Sequence, residues 1–206
     1  CREVTERLGI PTLAGATYEA DDYLASLAAH AREAGRPVCV VTRDKDLGQL
    51  LLGEEDTLWD YAAGARMTRA DFKQRFGIRP EQFADYLALV GDPVDDIPGV
   101  PSIGAKTAAA LLQHFDDLDE IAYNFDRIAG IGLRGAARVR ANLQDNWPSA
   151  LMSRQLARLA DRIDGLEWPG EYRLQRQQVQ DAADFLESLG LRGGLVRRWQ
   201  GLLAQT

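Results

Sequence analysis

Apolar residues recur at helical spacing along most of the chain, and short strand-like runs occur only in its first part. After residue 19 they lie three or four positions apart and predict a helix that ends near Glu33. The continuous run Val38–Thr42 instead predicts a buried strand, and Thr57–Tyr61 predicts a second one. We therefore predict an α/β portion with a partial parallel sheet at residues 1–78, followed by an all-helical portion at residues 79–206.

Start and stop signals predict the remaining elements. Thr68 and Asp71 resemble a capping box before a helix that stops at Gly77, and Pro80 begins a helix that runs to Val90. Further helices are predicted at residues 2–8, 105–115, 117–123, 133–145, 148–160, 180–189 and 194–204, with a short strand at 10–13 and an extended connection at 164–175.

Composition and charge restrict the class of protein. The net charge of −7 argues against nucleic acid as a partner, but seven of the 31 acidic residues fall in the motifs described next, where bound cations would neutralise much of their charge. No apolar run approaches the roughly 20 residues of a membrane helix, and the first residues lack the layout of a signal peptide. Cys39 lies in a predicted buried strand, which favours a reduced thiol. We expect a cytoplasmic protein that contacts no membrane.

Two groups of carboxylates are candidate metal ligands. Glu19, Asp21 and Asp22 fall in the first turn of a predicted helix, where the helix dipole keeps them ionised. Asp44 and Asp46 follow a predicted strand, at the sheet edge where α/β proteins bind ligands. Each group also has an ordinary interpretation, as acids that complement a helix dipole or as a solvated turn.

A third acidic group adjoins a glycine-punctuated turn. Asp92, Asp95 and Asp96 repel one another unless cations bind between them or one carboxyl group is protonated. The turn Gly99–Gly104 then opens onto a predicted helix whose free N–H groups suit a phosphate. An acidic loop before an ordinary helix is the alternative, but the combination favours hydrolysis of a phosphodiester. The candidate contacts for such a phosphate are Ser102, Ile103, Gly104, Ala105, Lys106 and Thr107.

In chain order, these motifs resemble those of 5′-3′ exonucleases of the flap endonuclease family. Its bacterial members are the 5′-nuclease domain of DNA polymerase I and stand-alone relatives. The motifs are Glu19–Asp22, Thr42–Leu50 and Gly91–Thr107. The resemblance implies a PIN-like nuclease core and a helix-three-turn-helix at residues 86–115 that grips the backbone of duplex DNA.

The resemblance also implies cofactors. Two divalent ions, Mg²⁺ or Mn²⁺, would be held by Glu19, Asp21, Asp22, Asp44, Asp46 and Asp95, and these residues together with Asp92 would be the catalytic set. The family usually has Asn at the position of Asp96. Some relatives hold K⁺ through main-chain carbonyls, which by position would be those of Leu89, Val90, Pro98, Val100 and Ile103.

The implied function is structure-specific hydrolysis of DNA near a 5′ end or flap, by a monomer. The family's first strand, which carries an Asp, and its arch do not precede Cys1, so we expect the chain to correspond to the C-terminal two-thirds of such a nuclease. Two alternatives remain: a DNA-structure-binding module without catalysis, and an RNA-directed nuclease of a related α/β fold. In the nuclease, we expect Asp44, Asp46 and Asp95 to converge.

Overall fold

The structure, a computed structural model, describes residues 1–191 together with residues 194, 198 and 201. The chain forms two compact units, one of Cys1–Ala20 with Asp164–Thr206 and the other of Asp21–Ile163. The predicted division of the chain near residue 78 stays a prediction.

The helices are α1 (Arg2–Arg7), α2 (Ala20–Glu33), α3 (Arg69–Phe76), α4 (Phe83–Val90), α5 (Ala105–His114), α6 (Leu118–Tyr123), α7 (Ala136–Asp145), α8 (Trp147–Ala157) and α9 (Arg176–Ser188). The strands are β1 (Cys39–Val41), β2 (Thr57–Asp60) and β3 (Ala65–Thr68).

The three strands form one sheet in the order β1-β2-β3. Strands β1 and β2 are parallel, with Val40 opposite Leu58, which confirms the predicted parallel pairing. Strand β3 was not predicted; it pairs antiparallel with β2 after a turn that contains Gly64, whose φ is +65°. Cys39 is exposed, contrary to the prediction, because only Val40 of the three β1 residues faces the core.

Several element boundaries differ from the sequence prediction. Residues 10–13 form no strand, and 3₁₀ turns cover Asp46–Leu50, Pro80–Gln82 and Phe125–Gly130. Helix α8 ends at Ala157 because the backbone of Ala160 is bound by side chains of α2. Oδ1 of Asp22 accepts the Ala160 amide at 2.8 Å, and the Ser26 hydroxyl donates to the Ala160 carbonyl at 3.0 Å. The helix predicted at 194–204 lies outside the described residues, apart from the isolated positions 194, 198 and 201.

The smaller unit is built on α1 and α9. Leu8 packs in a buried cluster with Val179 and Ala182. The guanidinium of Arg7 lies 4.4 Å from the centroid of the Phe185 ring, a cation–π contact. Among the described residues of the whole chain, no helix combines the length and apolar character needed to cross a membrane.

Helix α4 lies at the centre of the larger unit and leads directly into the acidic loop. It packs mainly against α8 and also against α5. At its start, the Phe83 ring contacts those of Phe72, Phe76 and Tyr86 at centroid distances of 5.1, 4.9 and 5.8 Å. Such aromatic pairs add to the apolar burial that fixes this helix. The loop after Val90 therefore starts from a rigid support.

One carboxyl group is buried inside this packing. Asp85 of α4 is 7% exposed, its Oδ1 has no hydrogen-bond partner, and that atom lies 3.8 Å from Nη1 of Arg154 in α8. Burial raises the pKa of Asp85 to about 6, although the charge of Arg154 opposes the change. The arginine keeps a second partner, because it forms two hydrogen bonds with Asp119.

We expect Asp85→Asn to change how stability depends on pH. The folded carboxyl group keeps its proton up to about pH 6, whereas the unfolded one loses it near 3.8. Between these values the folded state binds more protons, so the free energy of unfolding falls as pH rises. At 1.36 kcal/mol per pKa unit this amounts to about 3 kcal/mol.

Urea unfolding of both proteins at pH 4 and pH 7 measures the effect. From pH 4 to pH 7, the unfolding free energy of Asp85→Asn should rise by about 2.4 kcal/mol relative to that of the unsubstituted chain, because the unfolded carboxyl group is already partly ionised at pH 4. Asp119→Asn is the control, since Arg154 lowers the pKa of that exposed carboxyl group and the dependence has the opposite sign. A difference that stays constant with pH for Asp85→Asn would contradict the expectation.

Candidate functional site

The segment that follows β1 is a pair of side-chain-stabilised turns. The Thr42 hydroxyl accepts the Asp44 amide at 2.9 Å, and Asp44 Oδ1 accepts the Asp46 amide at 2.9 Å. Such local bonds stabilise turns at the expense of continued strand. They lead the chain into the 3₁₀ turn that begins at Asp46, which the buried side chains of Leu47 and Leu50 anchor in the core.

The loop after α4 is closed by its own backbone. Asp92 and Ile97 exchange two N–H···O bonds of 2.9 Å each, and both residues are buried. Oδ1 of Asp92 accepts the amide of Val94 at 2.9 Å. These bonds fix the positions from which Asp92 and Asp95 extend their carboxylates.

The two loops bring three carboxylates together. One oxygen from each of Asp46, Asp92 and Asp95 lies within 4.8 Å of the others. Asp92 is buried, Asp46 half-buried and Asp95 exposed, so the group opens toward solvent on one side. Among the described residues, no other group of three His, Cys, Asp or Glu side chains lies as close together.

A lysine contacts the same carboxylates. Nζ of Lys45 donates to Oδ2 of Asp92 at 2.5 Å and lies 3.6 Å from Oδ1 of Asp46. Lys45 was not among the predicted site residues, although its place between two acids in the motif is a signal that could have included it. The ammonium group partly neutralises the cluster.

The electrostatics of the three groups differ. Burial raises the pKa of Asp46 to about 6, and the charges of Asp44, Asp95 and Asp92 act in the same direction against that of Lys45. The pKa of Asp92 is lowered, chiefly by the hydrogen bond from Lys45. The pKa of Lys45 is raised by the same bond.

The donor set fits a divalent metal. Oδ1 of Asp46 is buried and has no hydrogen-bond partner, although Lys45 lies nearby. A buried carboxylate oxygen without a donor is costly, and a cation would satisfy it. Carboxylate oxygens at this separation are ligands that suit Mg²⁺ or Mn²⁺.

The other predicted ligands occupy separate positions. Asp44 is exposed and lies outside the three-carboxylate group, since its Oδ1 is bonded to the Asp46 amide. Asp21 and Asp22 are in the first turn of α2, as predicted, but also outside that group. Glu19 immediately precedes α2 and belongs to the smaller unit. Their roles as metal ligands stay predictions.

The turn that follows the acidic loop requires glycine. The φ of Gly99 is +64°, and a Cβ there would lie 2.7 Å from both Gly91 Cα and Val90 C. Helix α8 holds this position, because the Ser153 hydroxyl accepts the Gly99 amide at 3.1 Å and the Ser149 hydroxyl donates to its carbonyl at 3.2 Å. The acidic loop and the turn are therefore one packed assembly.

The candidate DNA contacts are mostly accessible. Lys106 is exposed in the first turn of α5, and Ser102 is exposed with a φ of +64°. Thr107 is half-buried, while the Ile103 side chain is buried in the core. Ile103 can therefore meet a ligand only through its backbone. Gly104 and Ala105 are also exposed.

Two of the carbonyls suggested for K⁺ already accept a hydrogen bond. That of Leu89 accepts the Val100 amide at 2.9 Å, and that of Val100 accepts the Ile103 amide at 3.1 Å. Each carbonyl oxygen has a second lone pair, so coordination of K⁺ stays a prediction for this set.

Two protein-family profiles together match most of the chain. A profile described as the 5′-3′ exonuclease N-terminal resolvase-like domain matches residues 1–77, and one described as the 5′-3′ exonuclease C-terminal SAM fold matches residues 78–180. The chain belongs to the 5′-3′ exonuclease family. This match confirms the resemblance that the three sequence motifs carry.

Curated relatives in this exonuclease family are longer than this chain. The 5′-3′ exonuclease of Buchnera aphidicola subsp. Acyrthosiphon pisum is 36% identical over 157 residues, which are 76% of this chain and 54% of that protein. DNA polymerase I of Pseudomonas aeruginosa is 40% identical over 158 residues, 76% of this chain and 17% of the polymerase. The chain thus spans about half the length of the Buchnera relative.

Solved structures of the exonuclease family share the fold. T5 5′-exonuclease with bound zinc superposes with a TM-score of 0.63 at 23% identity, over 86% of this chain and 62% of that one. A bacteriophage T5 flap endonuclease complex with DNA and metal ions gives 0.59 at 18% identity, over 95% of this chain and 62% of that one. The predicted class, an α/β portion followed by helices, is confirmed.

Proposed function

We propose that this chain carries the metal centre and the duplex-binding turn of a 5′-3′ exonuclease or flap endonuclease. Its reaction would be hydrolysis of DNA phosphodiesters near a 5′ end or flap, in the cytoplasm and as a monomer. The observation that carries the proposal is the approach of Asp46, Asp92 and Asp95 to within 4.8 Å of one another. Asp92 and Asp95 belong to the loop that continues into the turn at Gly99.

The three carboxylates would hold one divalent ion, Mg²⁺ or Mn²⁺, in competition with Lys45 for Asp92. Divalent ions in such sites supply an activated water and stabilise the charge that develops on the phosphate. Asp44, Asp21, Asp22 and Glu19 are the proposed ligands of a second ion. K⁺ at the carbonyls of the turn remains part of the proposal.

The turn would hold the DNA backbone next to the metal centre. Lys106 and Thr107, with the amides of Gly104 and Ala105, offer donors to a phosphate of the duplex. Such contacts position the substrate and do not read its sequence. The relation to T5 nuclease structures with DNA and with metals supports the same substrate class.

Cleavage and binding assays on the 206-residue chain test the proposal. A DNA with a 5′ flap, the matched duplex and a matched RNA are incubated with saturating protein in Mg²⁺, Mn²⁺ or Ca²⁺. We expect binding of flap DNA in Ca²⁺ and cleavage in Mg²⁺ and Mn²⁺ that leaves 5′-phosphates. Binding without cleavage in Mg²⁺ and Mn²⁺ would favour the DNA-structure-binding alternative, and preferential cleavage of RNA would favour the RNA-directed one.

A further inference from the structure

A polar groove lies between the predicted DNA-binding turn and helix α7. Its volume is about 380 Å³. Ser102, Ile103 and Thr107 form one wall, and the other wall consists of residues from the start of α7 and the turn before it. The described residues that line the groove include no acid, in a chain with a net charge of −7. The second wall contains Arg134, Gly135, Arg138, Val139 and Asn142.

The two arginines in this groove have no acidic partner among the residues that the structure describes. Arg134 and Arg138 are exposed, and within residues 1–191 neither takes part in an ion pair or a side-chain hydrogen bond. Arg140 on the same helix differs, since its Nη1 lies 3.0 Å from Oδ1 of Asp126. Guanidinium groups left unpaired beside a concave surface attract an anionic ligand, and their planar fork suits phosphate oxygens.

The turn before α7 repeats the spacing of the predicted DNA-binding turn. Gly130-Ile131 and Gly135-Ala136 stand at the same intervals as Gly99-Val100 and Gly104-Ala105. The helices that follow both have 10 residues. In each, the fourth helical amide bonds the preceding glycine carbonyl at 3.0 Å.

Helix α7 is tied to the turn opposite it. The Asn142 side-chain amide donates a hydrogen bond to the carbonyl of Pro101, immediately before Ser102. The two walls of the groove are therefore held together by a contact that needs no ligand. An anion bound between them would meet two backbone segments that are already in place, which lowers the entropy cost of binding.

We propose that Arg134 and Arg138 form a second contact site for the phosphodiester backbone of duplex DNA. The site shares its groove with Ser102 and Thr107, so adjacent phosphates would be held by the two turns together. This inference rests on the proposed function and adds to it residues outside the turn at Gly99–Thr107. The ligand is backbone phosphate, so the contact carries no sequence preference.

Salt-dependent binding of a DNA duplex in Ca²⁺ tests the site. Each phosphate contact contributes about 0.9 to the slope of log affinity against log salt. The double variant Arg134→Gln/Arg138→Gln should therefore lower the slope by about 2 and weaken binding about 10- to 100-fold at 0.1 M salt, equally for duplexes of different sequence. Arg140→Gln is the control on the same helix and should leave the slope unchanged.

Lys106→Ala separates failure of this inference from failure of the proposed function. If Lys106→Ala lowers the slope by about 1 and the double variant behaves like Arg140→Gln, the second contact site is overturned while DNA binding by the first turn stands. If the unsubstituted chain binds no duplex, the proposed function fails as well. Circular dichroism of every variant identifies any loss of helix, and Arg134→Lys/Arg138→Lys should restore most of the slope because the charge is kept.

Discussion

Asp95→Asn should reduce metal-dependent DNA cleavage by at least about a hundredfold. The residue supplies one of three carboxylate oxygens that lie within 4.8 Å of one another, and the amide has no charge to hold a divalent ion. A metal stabilises the transition state by several kcal/mol, and each 1.36 kcal/mol is tenfold in rate. Because Asp95 is exposed, the folded state should be little affected.

Two measurements are needed for this variant. Electron paramagnetic resonance of free Mn²⁺ reports binding directly, and single-turnover cleavage of flap DNA at saturating protein reports the reaction. Asp96→Asn is a close control, because Asp96 is exposed in the same loop, carries the same charge and lies outside the three-carboxylate group. Its φ of +55° is one that asparagine tolerates. Equal losses of Mn²⁺ binding in the two variants would mean that the loop attracts Mn²⁺ through its overall negative charge and that Asp95 is not a ligand.

Gly99→Ala should destabilise the larger unit by about 2–5 kcal/mol. The positive φ costs an alanine roughly 1–2 kcal/mol, and overpacking against a backbone that cannot swing away adds typically 1–3 kcal/mol. The new Cβ would meet Gly91 Cα at 2.7 Å, so the acidic loop and the turn would have to separate.

Gly64→Ala isolates the conformational part of this cost. Its φ of +65° is almost the same as that of Gly99, but no atom lies within 4 Å of the added Cβ. Urea unfolding should give a loss of about 1 kcal/mol for Gly64→Ala, and the excess in Gly99→Ala measures the close approach of the two glycines. Similar losses in both variants would show that this approach relaxes without cost.

Elements decided by local chemistry were predictable from the sequence. The Thr68 hydroxyl accepts the Asp71 amide, and the Asp71 carboxylate accepts the Thr68 amide, as the capping-box pattern predicted. Strand β3 could not be recognised, because Ala65–Thr68 lacks a run of β-branched residues and exists through its pairing with β2. The 3₁₀ turns likewise depend on tertiary contacts more than on helical periodicity.

The site was predictable only in the part that local sequence motifs determine. The carboxylates of Asp46, which follows a strand, and Asp95, which lies in the acidic loop, are close together, as their motifs predicted. Sequence spacing could not tell which of two acids at i and i+2 would face inward; the turn bonds made by Asp44 decide it. The contact of Lys45 with Asp92 depends on loops far apart in the chain, which no local pattern reveals.

The short closed loop from Asp92 to Gly99 has a consequence for where DNA would be cut. Both ends of the loop are held by hydrogen bonds: Asp92 pairs with the backbone of Ile97, and the Gly99 amide donates to the Ser153 hydroxyl on α8. In the proposed nuclease, the phosphate held at the turn and the phosphate at the carboxylates would thus be separated by a span that the protein cannot stretch. Because this distance is fixed, the cut would fall a constant number of nucleotides from the point where the flap leaves the duplex, whatever the length of the flap.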